Sequence, residues 1–351
     1  MQIVDQINSY FNDITGIDPY TVERARALCL GYFYKWGSAY TTIGIETPFR
    51  LPLLSPETGQ PLEDYKPYTG IIDWSFRTHN GKTYFCDRKT TSRCGPDYWD
   101  KLKTDAQLSR YYLAAYQANI KIDGFLWDVI VKPSLTVTDL TKNNLVEIET
   151  GHYCGMPISV PTEVEWKDKE TPHLHGLKVL AKCIKDADLV YQQRVIYRQD
   201  QDILEYWQDM VRIQDRMRKV TCRAEALRNR NNCTQYGKTC AFLPICSNED
   251  PDLLGFKKKS SSGDSGAKST FAGGVSVSAE AEFLSCEMKW WLNRVENLEP
   301  LYQPVDDNTD LGTLVHAGLE VVARATMSPD ETFKLPTGEE NGKLQTVATQ
   351  T

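Results

Sequence analysis

The first clear periodicity runs from Tyr20 to Trp36, YTVERARALCLGYFYKW. Val22, Ala25, Cys29, Tyr32, Phe33 and Trp36 recur there at helical spacing and predict one packed helix. From Thr42 the pattern changes to short β-rich runs: IGIETPFRLPL, then YTGIIDWSFRT, then KTYFCDRKTT. His79-Asn80-Gly81 separates the last two, and Asn-Gly between apolar runs is a strong hairpin signal. Residues 103–119, KTDAQLSRYYLAAYQAN, read as a helix, and 124–133, GFLWDVIVKP, as a further buried strand. Three strands, a helix and another strand predict a mixed α/β (α+β) core with a site at one sheet edge.

A long charged helix is expected over 199–227, running into a cysteine-rich segment. Residues 257–278 hold seven serines and four glycines among 22 positions, too little apolar surface to order, so a flexible Ser/Gly/Lys linker is expected. Beyond it AEAEFLSCEMKWWLNRVENLEP and DLGTLVHAGLEVVARA resume helical patterning, and the polar stretch from Ser328 predicts a loose tail. The chain thus divides into a core with a cysteine-rich end (1–256), the linker (257–278), a helical segment (279–327) and a tail (328–351).

With 41% hydrophobic and 25% charged residues, a chain of 351 residues can bury a sizeable core. No run approaches the roughly 20 apolar residues of a membrane span, and MQIVDQINSYFND lacks the basic start and apolar core of a signal peptide, so a cytoplasmic protein is expected. The net charge of −7 argues against coating nucleic acid through bulk positive charge. It leaves room for local basic stretches such as Arg212, Arg216, Arg218, Lys219, Arg223, Arg228 and Arg230, which read equally well as a solvated helix face. Ten cysteines are many for a reducing compartment, where clustered thiols are better read as metal ligands than as disulfides.

Candidate chemistry gathers at YFCDRKTTS. Asp87 and Lys89 lie two apart on one predicted strand, and Asp73 stands on its hairpin partner in GIID. Mg²⁺ and Mn²⁺ take hard oxygen ligands, usually one or two carboxylates plus substrate phosphate, so Asp73 and Asp87 can converge on one ion. Such an ion polarises a phosphoryl oxygen, and a lysine at Lys89 can orient the attacking water or stabilise developing charge. Gln107 and Tyr111, four apart, share one face of the helix that follows.

GIID, CDRKTTS and QLSRYY together resemble the PD-(D/E)XK nuclease superfamily, in the RecB-like exonuclease branch that includes the CRISPR-associated exonucleases and many phage recombination nucleases. The resemblance implies a restriction-endonuclease-like core, a mixed sheet flanked by helices with a cysteine-rich cluster-binding region. It makes Asp73 and Asp87 metal ligands, Lys89 the catalytic lysine, and Gln107 with Tyr111 a QxxxY motif that positions DNA and the lysine. It also implies a metal-ligating histidine in a G-x-x-x-H pattern, supplied here by Gly312 and His316. Several branches of the family hold a 4Fe-4S cluster with one early cysteine and three late ones. Cys286 matches the first; Cys233, Cys240 and Cys246 match the others. Four thiolates equally suffice for tetrahedral zinc, and spacing leaves both open, while the resemblance favours iron and sulfur.

The order of these motifs departs from the family, whose cysteine and histidine helices precede the sheet. Three explanations are open: a circular permutation folding in cis, the start of a truncated second copy serving another molecule, or a reading frame joining displaced ends. Folding in cis is preferred because each motif occurs once. The expected activity is a metal-dependent DNA exonuclease acting on single-stranded ends, suited to phage or bacterial recombination, repair or CRISPR adaptation, with those proteins as partners. The alternatives are a non-catalytic DNA-binding or scaffold protein that keeps the fold and cluster, and a zinc-stapled endonuclease.

Overall fold

A computed structural model describes residues 2–37, 39–159, 163–235, 238–247, 255–259, 273–301, 307–327 and 333–337. The chain begins with helices α1 (Gln2–Asn12) and α2 (Pro19–Trp36). α2 starts where expected because Asp18 accepts from the Thr21 amide and Pro19 takes the first turn, where its missing N–H costs nothing. Three antiparallel strands follow: β1 (Tyr40–Leu51), β2 (Tyr68–Thr78) and β3 (Thr83–Thr91). The expected turn joins β2 to β3, with Gly81 at φ +79° and the Thr78 amide donating to Lys82 O at 2.9 Å.

Short helix α3 (Pro96–Asp100) and helix α4 (Ala106–Gln117) then carry the chain across to β4 (Gly124–Val131), which pairs parallel to β3. An edge strand not apparent from periodicity, β5 (Tyr191–Ile196), pairs antiparallel to β4, so the sheet order is β1-β2-β3-β4-β5. The other main helices are α5 (Pro172–Lys185), α6 (Asp200–Lys219), α7 (Val277–Ser285) and α8 (Asp307–Ala325). This is a mixed α/β fold with a five-stranded mixed sheet flanked by helices, consistent with a restriction-endonuclease-like core.

GFLWDVIV reads as a continuous apolar run because both faces of β4 are covered. Phe125, Trp127 and Val129 join Leu108 of α4 and Met210 of α6 in one core. Ile130 joins Leu28 of α2, Val179 of α5 and Leu319 of α8 in another. A third core packs Met217, Phe242 and Ile245 against Phe283 and Leu292, binding the cysteine-rich segment to α7 and the chain after it. Among the described residues no helix is long and apolar enough to cross a membrane.

Several boundaries differ from expectation. α6 ends at Lys219 rather than near 227, where Val220 leaves the helical region and Thr221 and Cys222 turn around the Glu225 carboxylate. The helical reading of 279–300 breaks at Cys286 (φ −167°), and Leu298–Pro300 is a strand paired with Phe256–Lys258. The linker therefore has ordered ends: Lys257 and Lys258 sit in that pair, and the Val275 amide donates to Pro67 O at 2.9 Å. Its middle, 260–272, lies outside the described residues. Of the tail, 333–337 lies along β1 rather than loose. Phe333 N donates to Ile43 O, Pro336 O accepts from Arg50 N, and Leu335 is buried, so its few apolar residues suffice to dock it.

Candidate metal and phosphodiester site

β2 and β3 stay paired as far as Trp74 and Cys86. Just beyond this pair the Arg88 amide, two residues past Cys86, donates to Asp73 Oδ2 at 3.1 Å, which turns this carboxylate toward β3. On β1 the ladder passes from Ile45↔Trp74 to Thr47↔Ile72, leaving Glu46 level with Asp73. Glu46 has φ +44°, a left-handed conformation costly for a residue with a Cβ, and such strain tends to persist where a side chain must be aimed.

His316 reaches the same place from α8, packed against α2. A Cβ on Gly318 would lie 2.7 Å from Cys29 Sγ and 2.8 Å from Phe11, so glycine lets α8 approach this closely. A Cβ on Gly312 would lie 3.0 Å from Thr90 Oγ1, which gives the G-x-x-x-H pattern a steric reason on this fold. His316 Nε2 is 2.8 Å from Glu46 Oε1, and Nδ1 is 4.0 Å from Asp73 Oδ2. One ligand atom from each of Glu46, Asp73 and His316 falls within 4.8 Å of the others. The hydrogen bond to Glu46 holds the His316 pKa above the usual imidazole range.

Asp87 stands beside this group, fully buried. Its Oδ2 is 2.7 Å from Lys89 Nζ, and its Oδ1 accepts from Gln107 Nε2 at 2.7 Å. Gln107 also donates to the Tyr111 hydroxyl, which in turn donates to Ile71 O at 2.6 Å. The two motif residues of α4 therefore act as a chain of hydrogen bonds from β2 to Asp87. Burial, then the charge of Asp73, pushes the Asp87 pKa up to about 7 despite the Lys89 ammonium. Burial works against the charge on Lys89 as well, but Asp87 outweighs it and keeps the amine above its ordinary range. Beneath, on the opposite face of the sheet, buried Asp128 of β4 accepts from the Tyr32 hydroxyl and from Gln193 and pairs with Arg88 at 3.5 Å, tying α2 to the sheet under the site.

All five residues expected from β2, β3 and α4 thus converge, and His316 joins them from beyond the linker within one chain. Glu46 was not anticipated; its signal was an acidic residue inside the otherwise apolar run IGIETPF. The donor set is carboxylate oxygen plus one imidazole, and its crowded negative charge, visible in the raised Asp87, is what a divalent cation would relieve. His173 and His175 lie elsewhere on α5, with His175 Nδ1 3.2 Å from Glu170.

Cys233, Cys240, Cys246 and Cys286 line one cavity of about 40 Å³, together with Arg228 and Lys289. The Asn229 amide donates to Cys286 Sγ at 3.5 Å. Among the described residues the group of three ligand atoms within 4.8 Å is the Glu46 one, so no three of these sulfurs come that close together. Tetrahedral zinc at about 2.3 Å from each sulfur would hold them about 3.8 Å apart. Four thiolates lining one cavity can serve either zinc or an iron–sulfur cluster. Cys29, Cys86 and Cys183 are buried, as expected of small apolar side chains, whereas Cys154 and Cys222 are exposed.

Residues 274–347 match the family model of the PD-(D/E)XK nuclease superfamily. The matched stretch contains Cys286 and His316; Asp73, Asp87 and Lys89 lie outside it. This match supports the superfamily, and with it a nuclease acting on nucleic acid. No curated protein and no solved structure matches the chain.

Proposed function

We propose that this chain is a divalent-metal-dependent deoxyribonuclease that hydrolyses phosphodiesters at single-stranded DNA ends, with its site completed in cis by the segment beyond the linker. The observation that carries the reading is the convergence of Glu46, Asp73 and His316, with ligand atoms within 4.8 Å, beside buried Asp87 and its partner Lys89. Mg²⁺ or Mn²⁺ held by Asp73, Asp87 and His316, with Glu46 as a further ligand, would polarise the phosphoryl oxygen and acidify a water. Lys89, 39% exposed at its side chain, is the group free to turn from Asp87 toward that water or the phosphate. Gln107 holds Asp87 from behind and Tyr111 holds Gln107, so both are positioning residues.

The four cysteines are read as ligands of a structural 4Fe-4S cluster that staples 233–246 to the turn at Cys286. Hydrolysis needs no redox change, so the cluster's role would be to hold α7 and the segment leading to His316. Such an enzyme would serve recombination, repair or CRISPR adaptation in a bacterial or phage-infected cell, alongside the proteins of that process.

Labelled single-stranded DNA incubated with Mn²⁺ should be shortened by the wild-type chain and left intact by Lys89→Ala. Equal absence of cleavage from both would favour a binding or scaffold protein. Metal analysis of protein purified without air separates the staples: iron with sulfide supports the cluster, and zinc without iron refutes it.

A further inference from the structure

A strand passing through this site needs cations beyond the metal, and four of the seven in the basic stretch 212–230 already have partners. Arg212 pairs with Asp209, Arg216 with Glu287 and Arg218 with Asp64, while the Arg223 guanidinium donates to Ile245 O. These charges are spent within the fold.

A different arrangement leads outward from Asp87. In the ladder Asp87 lies opposite Trp127, and Trp127 opposite Arg194, so the three form a row across β3, β4 and β5 to the sheet edge. Two strand spacings put Arg194 about 10 Å from Asp87. The row is roofed by α3: Trp127 Nε1 donates to the Tyr98 hydroxyl at 3.2 Å, and the Arg194 guanidinium stacks 4.3 Å over Trp99. Lys101 Nζ sits 4.0 Å above the Tyr98 ring, and Lys89 Nζ 5.6 Å from the Trp127 ring. Lys101 and Arg194 are exposed, and among the described residues neither side chain makes an ion pair or a side-chain hydrogen bond. In a chain of net charge −7 they are cations kept beside the site, held by aromatic rings, with Asp100 near Arg194 but paired to Lys103.

We propose that Tyr98, Lys101 and Arg194 form the track for the single strand that enters the site, with the two cations on its phosphates and Tyr98 beneath a base. This rests on the nuclease reading and adds its substrate path. Cation–aromatic contacts of this kind hold a side chain in place without neutralising it, so either cation can turn to a phosphate at small cost. Once Lys101 does so, one face of Tyr98 is uncovered for a base, and only an unpaired strand offers a base face for stacking.

The test measures binding separately from cleavage. The full-length protein, in EDTA so that nothing is cut, is titrated into a labelled oligothymidine of about 15 nucleotides across a range of salt, scored by anisotropy. Each phosphate contact contributes about 0.7 to the slope of log K against log salt. Lys101→Ala/Arg194→Ala should therefore flatten the slope by about 1.4 and weaken binding about 25-fold at 0.1 M salt. Tyr98→Leu should weaken binding roughly tenfold with the slope unchanged, as lost stacking does. Lys182→Ala on α5, whose charge is paired with Asp186 just past the helix, is the control expected to match wild type. An unchanged slope in the double variant overturns the track, as does an equal loss on blunt duplex. Parallel reactions with Mn²⁺ separate the two claims. Cleavage by wild type with an unaltered slope in the double variant leaves the nuclease without this track, and a flattened slope with no cleavage by wild type leaves the track without the nuclease.

Discussion

Glu280→Ala removes one half of a buried ion pair that joins α7 to α4, the helix carrying Gln107 and Tyr111. Arg110, fully buried on α4 between Gln107 and Tyr111, pairs through Nη2 with Glu280 of α7. Its other nitrogens donate to Thr69 O, to Val275 O at 2.7 Å and to the Tyr206 hydroxyl at 2.9 Å. Truncating Glu280 strands a guanidinium with no route to water, and breaking such pairs costs about 3–5 kcal/mol. The three remaining acceptors soften the loss, which places the expected cost near the lower bound, about 3 kcal/mol, read from urea midpoints at constant m. Arg110→Met/Glu280→Leu takes both charges away and should cost less than the single change, because apolar groups of similar volume replace a pair that was expensive to desolvate. Urea titrations of wild type, both singles and the double complete the cycle. If Glu280→Ala costs under about 1 kcal/mol, or if its cost varies with protein concentration, α7 does not dock on α4 of its own chain and the cis assembly is wrong.

Mn²⁺ at a hundredfold excess over its dissociation constant should stabilise the wild-type chain by about 2.7 kcal/mol, and His316→Ala should lose most of that gain in thermal shift while keeping its metal-free midpoint within about 1 kcal/mol. Cys286→Ser should lower the iron content of anaerobically purified protein and loosen the core around Phe283 and Leu292, seen as faster proteolysis of 233–247. Glu170 gives a pH dependence far from the site. Burial raises its pKa, but hydrogen bonds from Lys178, Tyr153, His175 and the Thr138 amide outweigh burial and hold it down to about 2. A depressed carboxylate adds stability that is full above its unfolded value of about 4.5 and is lost as pH falls through about 2, here of order 3 kcal/mol. Glu170→Gln should therefore be much less stable than wild type at pH near 6, and the gap should narrow steadily in urea titrations taken below about 4.

The residues legible in the sequence are those whose positions follow from period and turn chemistry. Alternation fixed which strand carries Asp73 and which carries Asp87 and Lys89, Asn-Gly supplied the hairpin, and the four-residue spacing of Gln107 and Tyr111 holds on α4 as a direct hydrogen bond. Glu46 escaped because its placement depends on a local backbone departure, φ +44° beside an irregular stretch of β1, that no two-residue period encodes. β5 escaped because YQQRVI is half polar: it is an edge strand whose polar positions serve Asp128 and the Trp99 roof rather than solvent alone. Arg110 looked like one more charge on an amphipathic helix. Only tertiary structure shows that it is buried, since its partners come from residues 69, 206, 275 and 280.

The motif order is the property of this chain that most needs a physical account, and backbone contacts supply it. The stretch from 273 onward is threaded through the rest of the molecule. Val275 O accepts from the Thr69 amide, α7 meets α4 through Arg110, and Glu287 pairs with Arg216 of α6. α8 then packs on α2, the Thr42 amide on β1 donates to Thr326 O at 3.1 Å, and 333–337 continues along the same strand. The joins at Thr69, Arg110 and Thr42 use main-chain groups or buried charge that would be left unsatisfied if the segment departed, at roughly 1–3 kcal/mol for each buried polar group. A segment held only by surface contacts could exchange readily between molecules. One held at six places on both faces of the sheet releases only by opening much of the core.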